Sequence, residues 1–570
     1  MERRVFLAIL LSFVVLFGYQ TFFVPKPADV PAATAAPEGA LPPAPVAAAP
    51  DAQAPAPRAS AAPLVADAAA REVVVETESV RAVFNTRGAV VTSWRLKHYN
   101  DDEGQQPLDL VPAELPAQAA RPFAIETGDA ALDAQLAQAL FKPTAGSLTI
   151  GRESAGIAFE YRDAAGLVAR KEFVFNAGGQ PYVIDVTTSL ERNGQQPTFR
   201  LAFGPSLGTG YNASGSSYYY PPAAITSDGS SADRYDADDI TEVPRYQGAY
   251  RWAGVSDHYF LSAVLGSGQP VGVTYQPVSL PVPGAAEGAN PRTFVSWSVD
   301  AASGAPVRVF YGPKDFSILK AVDGSLVRAI DFGIFAFLVV PLLTALQWVN
   351  GFIGNYGWSI IALTLLINAT MAPLRHKSLV SMRKMQQLQP EVKVIQKRYE
   401  KYKMTDPERQ KMNTEMMALY RERGVNPASG CVPMLLTMPV LFAFYALLSV
   451  AIELRGAPFF GWIQDLSMHD PLYITPLLMG GTMFWQQYIT PSTADPVQQK
   501  MMLIMPVVFL VMFLWAPAGL VIYWLFSNLW AIGQQMITNR FVPAAPAVIS
   551  QAPAVRRIKQ KQAKRDPKSE

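Results

Sequence analysis

The 570-residue sequence contains one cysteine, Cys431, and only four histidines, His98, His258, His376 and His469, each in a different region. A single thiol excludes an intrachain disulfide and a cysteine metal cluster, and its place at the start of an apolar run suits a small buried hydrophobe. The dispersed histidines point to neither a metal site nor a catalytic triad, so no cofactor and no enzymatic chemistry are expected. Charge is scarce as well: 16% of residues are charged against 50% hydrophobic, too apolar for a soluble enzyme of this length and natural for a membrane protein. The long apolar runs are almost free of charge inside. A proton pump or ion-coupled transporter needs intramembrane carboxylates or basic groups, and no transporter-type internal repeat is visible.

The charge that is present is sorted along the chain. Between Arg375 and Arg423 lie 13 Lys/Arg, bracketed by the apolar runs Tyr356 to Leu374 and Cys431 to Ile452. Basic loops beside spans stay in the cytoplasm, which orients the whole chain. A basic tail follows Gln551, whereas the loop from Glu453 to Asp470 sets Glu453, Asp465 and Asp470 against Arg455 alone, as an outside loop allows.

At the N-terminus, Arg3 and Arg4 precede an uncharged run from Val5 to Val24, roughly 30 Å as a helix and matched to a bilayer core. An uncleaved anchor is expected; Ala33-Thr34-Ala35-Ala36 leaves signal cleavage as the alternative. Residues 25–70, rich in Ala and Pro, read as a disordered tether. Residues 71–312 change to short alternating segments such as Val80 to Phe84, Val168 to Phe175 and Tyr182 to Leu190, punctuated by turns such as Asn85-Thr86-Arg87-Gly88, which predicts an all-β sandwich outside the membrane.

Residues 313–353 are expected to hold a linker and an interfacial amphipathic helix. Counting Phe332 to Phe352 as a span would place the basic hairpin outside, and Pro341 disfavours a straight spanning helix. Parity likewise splits Met501 to Trp530 at Ala516-Pro517-Ala518-Gly519. Six spans result: Val5 to Val24, Tyr356 to Leu374 (within 354–374), then Cys431 to Ile452, Leu472 to Tyr488, Met501 to Trp515 and Leu520 to Ile537 within 426–540. The fifth, about 22 Å long, implies mismatch with the bilayer. Both termini, including the tail 541–570, are then cytoplasmic.

The hairpin, residues 375–425, spaces Leu379, Met382, Met385 and Leu388 at three-residue intervals and continues with Val392, Ile395 and Tyr399. After Asp406-Pro407, a cap followed by proline at the first helical position, the returning helix presents Met412, Met416, Leu419 and Tyr420. Its exposed basic face, with Lys393, Lys397, Arg398 and Lys401, is either a docking surface for anionic lipid, ribosome or nascent chain, or a solvated face that only enforces topology. Inside the spans the polar inventory is mild: Thr364, Asn368, Thr437, Gln486, Gln487, Ser527, Asn528, Gln534 and Gln535. Single hydroxyls in a span commonly bond the preceding turn, but amides contributed by several spans are equally consistent with a shared hydrated groove.

The stretch Asn426-Pro427-Ala428-Ser429-Gly430-Cys431-Val432-Pro433 through Pro439 resembles the YidC/Oxa/Alb insertase superfamily, and specifically its Gram-negative type. Met382-Arg383-Lys384-Met385-Gln386, Met416-Met417-Ala418-Leu419-Tyr420, Asp495-Pro496-Val497-Gln498-Gln499-Lys500 and Pro517-Ala518-Gly519-Leu520 add to it, in family order over roughly residues 310 to 540. The resemblance implies a five-span helical core with an N-terminal anchor and a periplasmic β-supersandwich in the inner membrane. It implies a membrane protein insertase and chaperone, acting alone or with the Sec translocon on nascent membrane proteins, without nucleotide hydrolysis. It also implies a hydrophilic groove open to cytoplasm and lipid, carried here by Thr364, Asn368, Thr437, Met438, Tyr523, Trp524, Ser527 and Asn528. The family typically has an arginine where this chain has Asn368; the nearest, Arg375, is a candidate charge at the groove mouth. A solute channel or transporter, or a carbohydrate-binding β domain, is the alternative function.

Overall fold

The computed structural model describes residues 62–541, except 102–105, 113–114, 116–118, 177–178, 206, 208–220, 267–268, 281–291, 403–405, 426–431 and 491–495, with backbone alone at 280, 292, 432–437 and 496–501. The expected anchor, most of the tether, Cys431 with the Asn426 motif, and the basic tail lie outside the described residues.

Alternation in the first half of the chain builds three sheets. Leu167–Phe175 buries every second residue, the signature of a strand with one face on the core. It pairs antiparallel with Ala155–Asp163 and Val183–Arg192 in a ten-stranded sheet that continues through Pro306–Pro313, Phe260–Leu265 and Trp252–Ser256. Two five-stranded sheets, one centred on Val80–Asn85 and the other on Arg292–Ala301, complete the β domain. Aromatic residues fill the space between layers: Trp94 stacks on Tyr311 at 5.1 Å, and Phe203 on Trp297 at 4.0 Å. The tether is shorter than expected, because Pro63–Val65 is a strand that covers the open edge of Ala155–Asp163. Two helices, α1 (Ala130–Gln138) and α2 (Ala237–Glu242), decorate the domain, and α3 (Phe316–Val322), capped by Asp315, leads out of it.

Helix α4 (Ala336–Ile353) runs unbroken through Pro341 and ends at Gly354, whose φ of 71° suits a residue without Cβ. Helix α5 (Tyr356–Gln387) follows, with Asn355 accepting from the Trp358 N–H as its cap. The boundary expected at residue 374 between span and hairpin does not exist: α5 continues through Pro373 for 32 residues, about 48 Å. The hairpin proper is α6 (Gln389–Tyr399) and α7 (Pro407–Glu422). Val392 and Tyr399 are buried at their seam, and Met412, Met416, Leu419 and Tyr420 are half-buried while Asn413, Thr414, Met417 and Ala418 are exposed.

The remaining helices are α8 (Val432–Val450), α9 (Ile474–Ile489), α10 (Pro496–Phe513) and α11 (Ala518–Phe541). The break at Ala516 to Gly519 falls where Pro517 predicts it, and the freed N–H groups of Ala518 and Gly519 bond to the carbonyls of Met468 and Leu466. α10 begins five residues earlier than expected, at Pro496, since Pro is well suited to a first helical turn; its apolar part remains short, Met502–Phe513. α11 packs against α5 on one side and α9 on the other, α10 lies against α9, and α4 bridges α5 and α8. Gly480 lets the α9 backbone approach Leu510 of α10. Among the described residues, Gly333–Ile353 and Tyr356–Gln387 are long and apolar enough to cross a membrane by length and composition.

Candidate functional site

Helices α5, α8, α9 and α11 enclose a cavity of about 310 Å³. Spacing along α11 puts Tyr523, Trp524, Ser527, Asn528, Ala531, Gln534 and Gln535 on its wall, a stripe at three- and four-residue intervals that is one face of a helix. α5 contributes Arg375, Ser378, Leu379 and Met382, α8 contributes Leu441, and the end of α9 contributes Gln486 and Thr490. The lining holds one cation, several neutral amides and hydroxyls, and no carboxylate.

The cation is held from within the bundle. Asn368, 4% exposed, accepts at Oδ1 from Arg375 Nη1 at 2.9 Å, while its Nδ2 donates to the Thr364 carbonyl at 2.8 Å and to Ser527 Oγ at 3.4 Å. α5 stays helical through Pro373, and seven residues along a helix return to nearly the same face, so Arg375 reaches back towards Asn368. Tyr523 stacks on Phe444 of α8 at 4.4 Å, which fixes one wall, and Trp524 packs on Phe513 of α10 at 4.9 Å. Several amides are anchored rather than free: Asn528 Nδ2 donates to Thr482 Oγ1 at 3.3 Å and Gln534 Nε2 to the Ala372 carbonyl at 2.7 Å. The Oε1 of Gln534 is buried without a protein partner. Towards the far end of α11, Arg383 donates to the carbonyls of Thr538 and Asn539, which a cation at a helix C-terminus stabilises.

Such a site offers hydrogen bonds and one positive charge to a polar chain. Among the described residues no group of three or more His, Cys, Asp or Glu could hold a metal.

Of the groove residues expected from sequence, Tyr523, Trp524, Ser527, Asn528 and Arg375 come together in the cavity wall. Asn368 stands behind it, in contact with Arg375 and Ser527. Thr364 does not line it: the residue is fully buried, and its hydroxyl donates to the Ile360 carbonyl at 2.6 Å, the local bond to the preceding turn. Met438 is exposed and is not a lining residue, because α8 turns Leu441 inward instead. The Thr437 side chain lies outside the described residues. Ser378, Leu379, Met382, Thr490 and Ala531 were not anticipated at the site, and Gln486, Gln534 and Gln535 only as span amides; continuing the α11 stripe past Asn528 would have found Ala531, Gln534 and Gln535. On the hairpin, Lys393, Lys397 and Lys401 are exposed as expected, but Arg398 pairs with Glu415 across α6 and α7 at 3.1 Å.

Comparison with known proteins agrees with this architecture. The family described as 60Kd inner membrane protein matches residues 348–545, and the YidC periplasmic domain matches residues 72–345. The membrane protein insertase YidC of Geobacter metallireducens is 37% identical over 567 residues, covering 96% of this chain and all of that protein. The chain belongs to the YidC family. The relative from Geotalea daltonii, also named membrane protein insertase YidC, is 36% identical and covers 95% of this chain and all of its own length. A crystal structure of an active YidC insertase with its first transmembrane domain resolved aligns over 84% of this chain and 95% of its own, at 18% identity and a TM-score of 0.35. The family pairs an inner-membrane helical part with a periplasmic domain, and the β domain and apolar helices described above are those two parts.

Proposed function

We propose that this chain inserts and folds inner-membrane proteins by receiving the polar part of a nascent substrate in the cavity between α5, α8, α9 and α11. The observation that carries this is the Arg375 guanidinium in a neutral, carboxylate-free lining. A charge at the centre of a bilayer costs at least ~2.5–3.5 kcal/mol on insertion scales, and a polar cavity lowers that cost. The short apolar stretch Met502–Phe513, about 18 Å long against a ~30 Å hydrocarbon core, favours local thinning and shortens the path. No nucleotide is needed, because the substrate's own apolar segments drive transfer into lipid.

The topology that accompanies this has six spans, counting Val5 to Val24, with α4 interfacial, both termini and the hairpin in the cytoplasm, and the β domain in the periplasm. Its support is the sorting of charge, together with the contact of Ser449, in the last turn of α8, with His258 of the β domain, at the opposite end of α8 from the hairpin. Nascent membrane proteins are the substrates; the Sec translocon is a working partner, and ribosome and anionic lipid are partners of the lysine-rich hairpin face. A channel is disfavoured by a lining that carries a single cation and no ring of charge. Carbohydrate chemistry is disfavoured at one open pocket of the β domain, where the carboxylates are paired, Glu126 with Arg200 and Asp300 with Arg245.

The test is reconstitution of the purified protein alone in liposomes, followed by protease protection of a short two-span substrate. Insertion well above empty liposomes is expected. Insertion equal to empty liposomes overturns the proposal.

A further inference from the structure

The β domain is seated on the end of the bundle through two buried contacts of opposite chemistry. At the first, His258, 3% exposed, lies in the turn between Trp252–Ser256 and Phe260–Leu265, with Nε2 2.9 Å from the Ser449 carbonyl in the last turn of α8. A carbonyl only accepts, so Nε2 carries a hydrogen and donates it. The charges around this imidazole are mostly positive. Lys314, buried, donates to Ser256 Oγ and to the Asp257 carbonyl, and the Arg455 guanidinium lies 5.7 Å and 5.5 Å from the rings of Tyr259 and Phe260. The one carboxylate beside it, Asp257, accepts the N–H groups of Tyr259 and Phe260, while Arg234 and Asp331 lie beyond Lys314 and face each other. A second proton on His258 would add a buried cation next to two others, so acid works against this contact.

At the second contact, Glu453 in the Ile452–Leu454 turn accepts from Gln347 Nε2 of α4 at 2.9 Å and lies close enough to the Phe316 N–H, at the start of α3, to feel it. It therefore ties the exit of the β domain to both α4 and α8. The charge that acts on it most is another carboxylate, Asp315; the titratable groups facing it from α5 and from strand Val90–Asn100 are Tyr356 and Tyr99, and Arg455 is turned to the Tyr259 and Phe260 rings. Its donors are neutral. Protonating Glu453 relieves repulsion in a desolvated site, so acid works for this contact.

We propose that His258 and Glu453 form an acid-compensated latch, which keeps the β domain seated on the bundle while the pH of the compartment it faces changes. Burial, reinforced by Lys314, lowers the His258 imidazole to about 4, so its contribution is complete above the ordinary histidine range and is lost as pH falls towards 4. Burial, reinforced by Asp315, raises the Glu453 carboxyl to about 7, so its contribution is complete below the ordinary carboxylate range and is lost as pH rises through 7. Between about pH 4.5 and 6.5 the two slopes oppose each other.

The experiment is hydrogen exchange by mass spectrometry on the full-length protein in lipid nanodiscs, reading the opening constant of peptides spanning residues 257–263 and 449–456 at about pH 5 and 7.5, after correction for intrinsic exchange. In the unmodified protein the constant is expected to change by less than about threefold. In Glu453→Gln only the histidine remains, and opening at pH 5 should exceed opening at pH 7.5 by at least tenfold, on the order of the factor linkage allows. His258→Gln, which keeps a donor for the Ser449 carbonyl, should show the opposite slope. His258→Asn is the second variant if the longer side chain disturbs the fold. A common pH profile for the unmodified protein and Glu453→Gln overturns the latch, as does a slope of the same sign in both variants.

Discussion

At the scale of single residues, the groove charge is Arg375, and Asn368 positions it by accepting from its guanidinium. Arg375→Ala is expected to reduce insertion of substrates with acidic translocated segments by about tenfold, roughly one charge-assisted hydrogen bond, and of neutral ones much less. Asn368→Leu, which leaves the arginine in place and removes its holder, should give a smaller loss of the same pattern in the same liposome assay. Cysteine scanning separates wall from packing. In a Cys431→Ala background, Ser527→Cys, Asn528→Cys and Gln486→Cys should react with a membrane-impermeant thiol reagent, while Thr364→Cys and Leu365→Cys should not, since thiolate formation needs water. Equal labelling at all five positions would remove the cavity from the mechanism. In the β domain, Lys171 is buried and donates to the carbonyls of Gly88, Ala89 and Phe123, three residues with positive φ whose backbones are held by that one ammonium. Lys171→Met strands three buried acceptors and should cost about 3 kcal/mol or more, read as a lowered urea midpoint by near-ultraviolet circular dichroism.

Among the elements, the hairpin is the one with separable parts. α6 and α7 are closed by Arg398 with Glu415 and by Arg423 with Glu391 at 3.0 Å, while Lys393, Lys397 and Lys401 face outward. Replacing the three lysines with Gln should weaken flotation with anionic vesicles by up to about 100-fold at low salt, at about 1 kcal/mol per lysine, and by much less at high salt. Arg398→Gln also removes one unit of charge and leaves Glu415 unpaired, so it should weaken vesicle binding by about the single-lysine increment, roughly fivefold at low salt. Unchanged binding of the triple variant at every ionic strength would leave the hairpin as a topology signal. α5 is continuous from Tyr356 to Gln387, so the hairpin is joined to the bundle through the same helix that carries Arg375.

For the whole molecule, the cavity is built from helices beginning at Tyr356, and the β domain touches the bundle far from it, at Ser449 and Arg455. Deleting residues 62–312 while keeping the N-terminal run and the Lys314 to Phe316 segment should therefore leave liposome insertion within about threefold, an effect smaller than ~0.7 kcal/mol. Complete loss with the core still folded would place part of the active machinery in the β domain.

Sequence alone determined the class of each half. Period-two alternation such as Leu167–Phe175 predicts a half-buried strand, and Ala516-Pro517-Ala518-Gly519 predicts the break between α10 and α11, because both rest on local backbone sterics. It also nominated Ser527 and Asn528, which share a polar stripe. Contact between elements was decided only by the fold. Thr364 and Asn368 are four residues apart on one face, yet the hydroxyl of the first bonds within its own helix while the amide of the second, besides Thr364 and Arg375 on that helix, reaches Ser527 of α11, a contact set by which helix packs opposite. The span boundary expected at residue 374 is absent, since α5 continues through Pro373 and packs along α11. The seating of His258 on Ser449, 191 positions away, depends on how two domains meet, which no local pattern encodes.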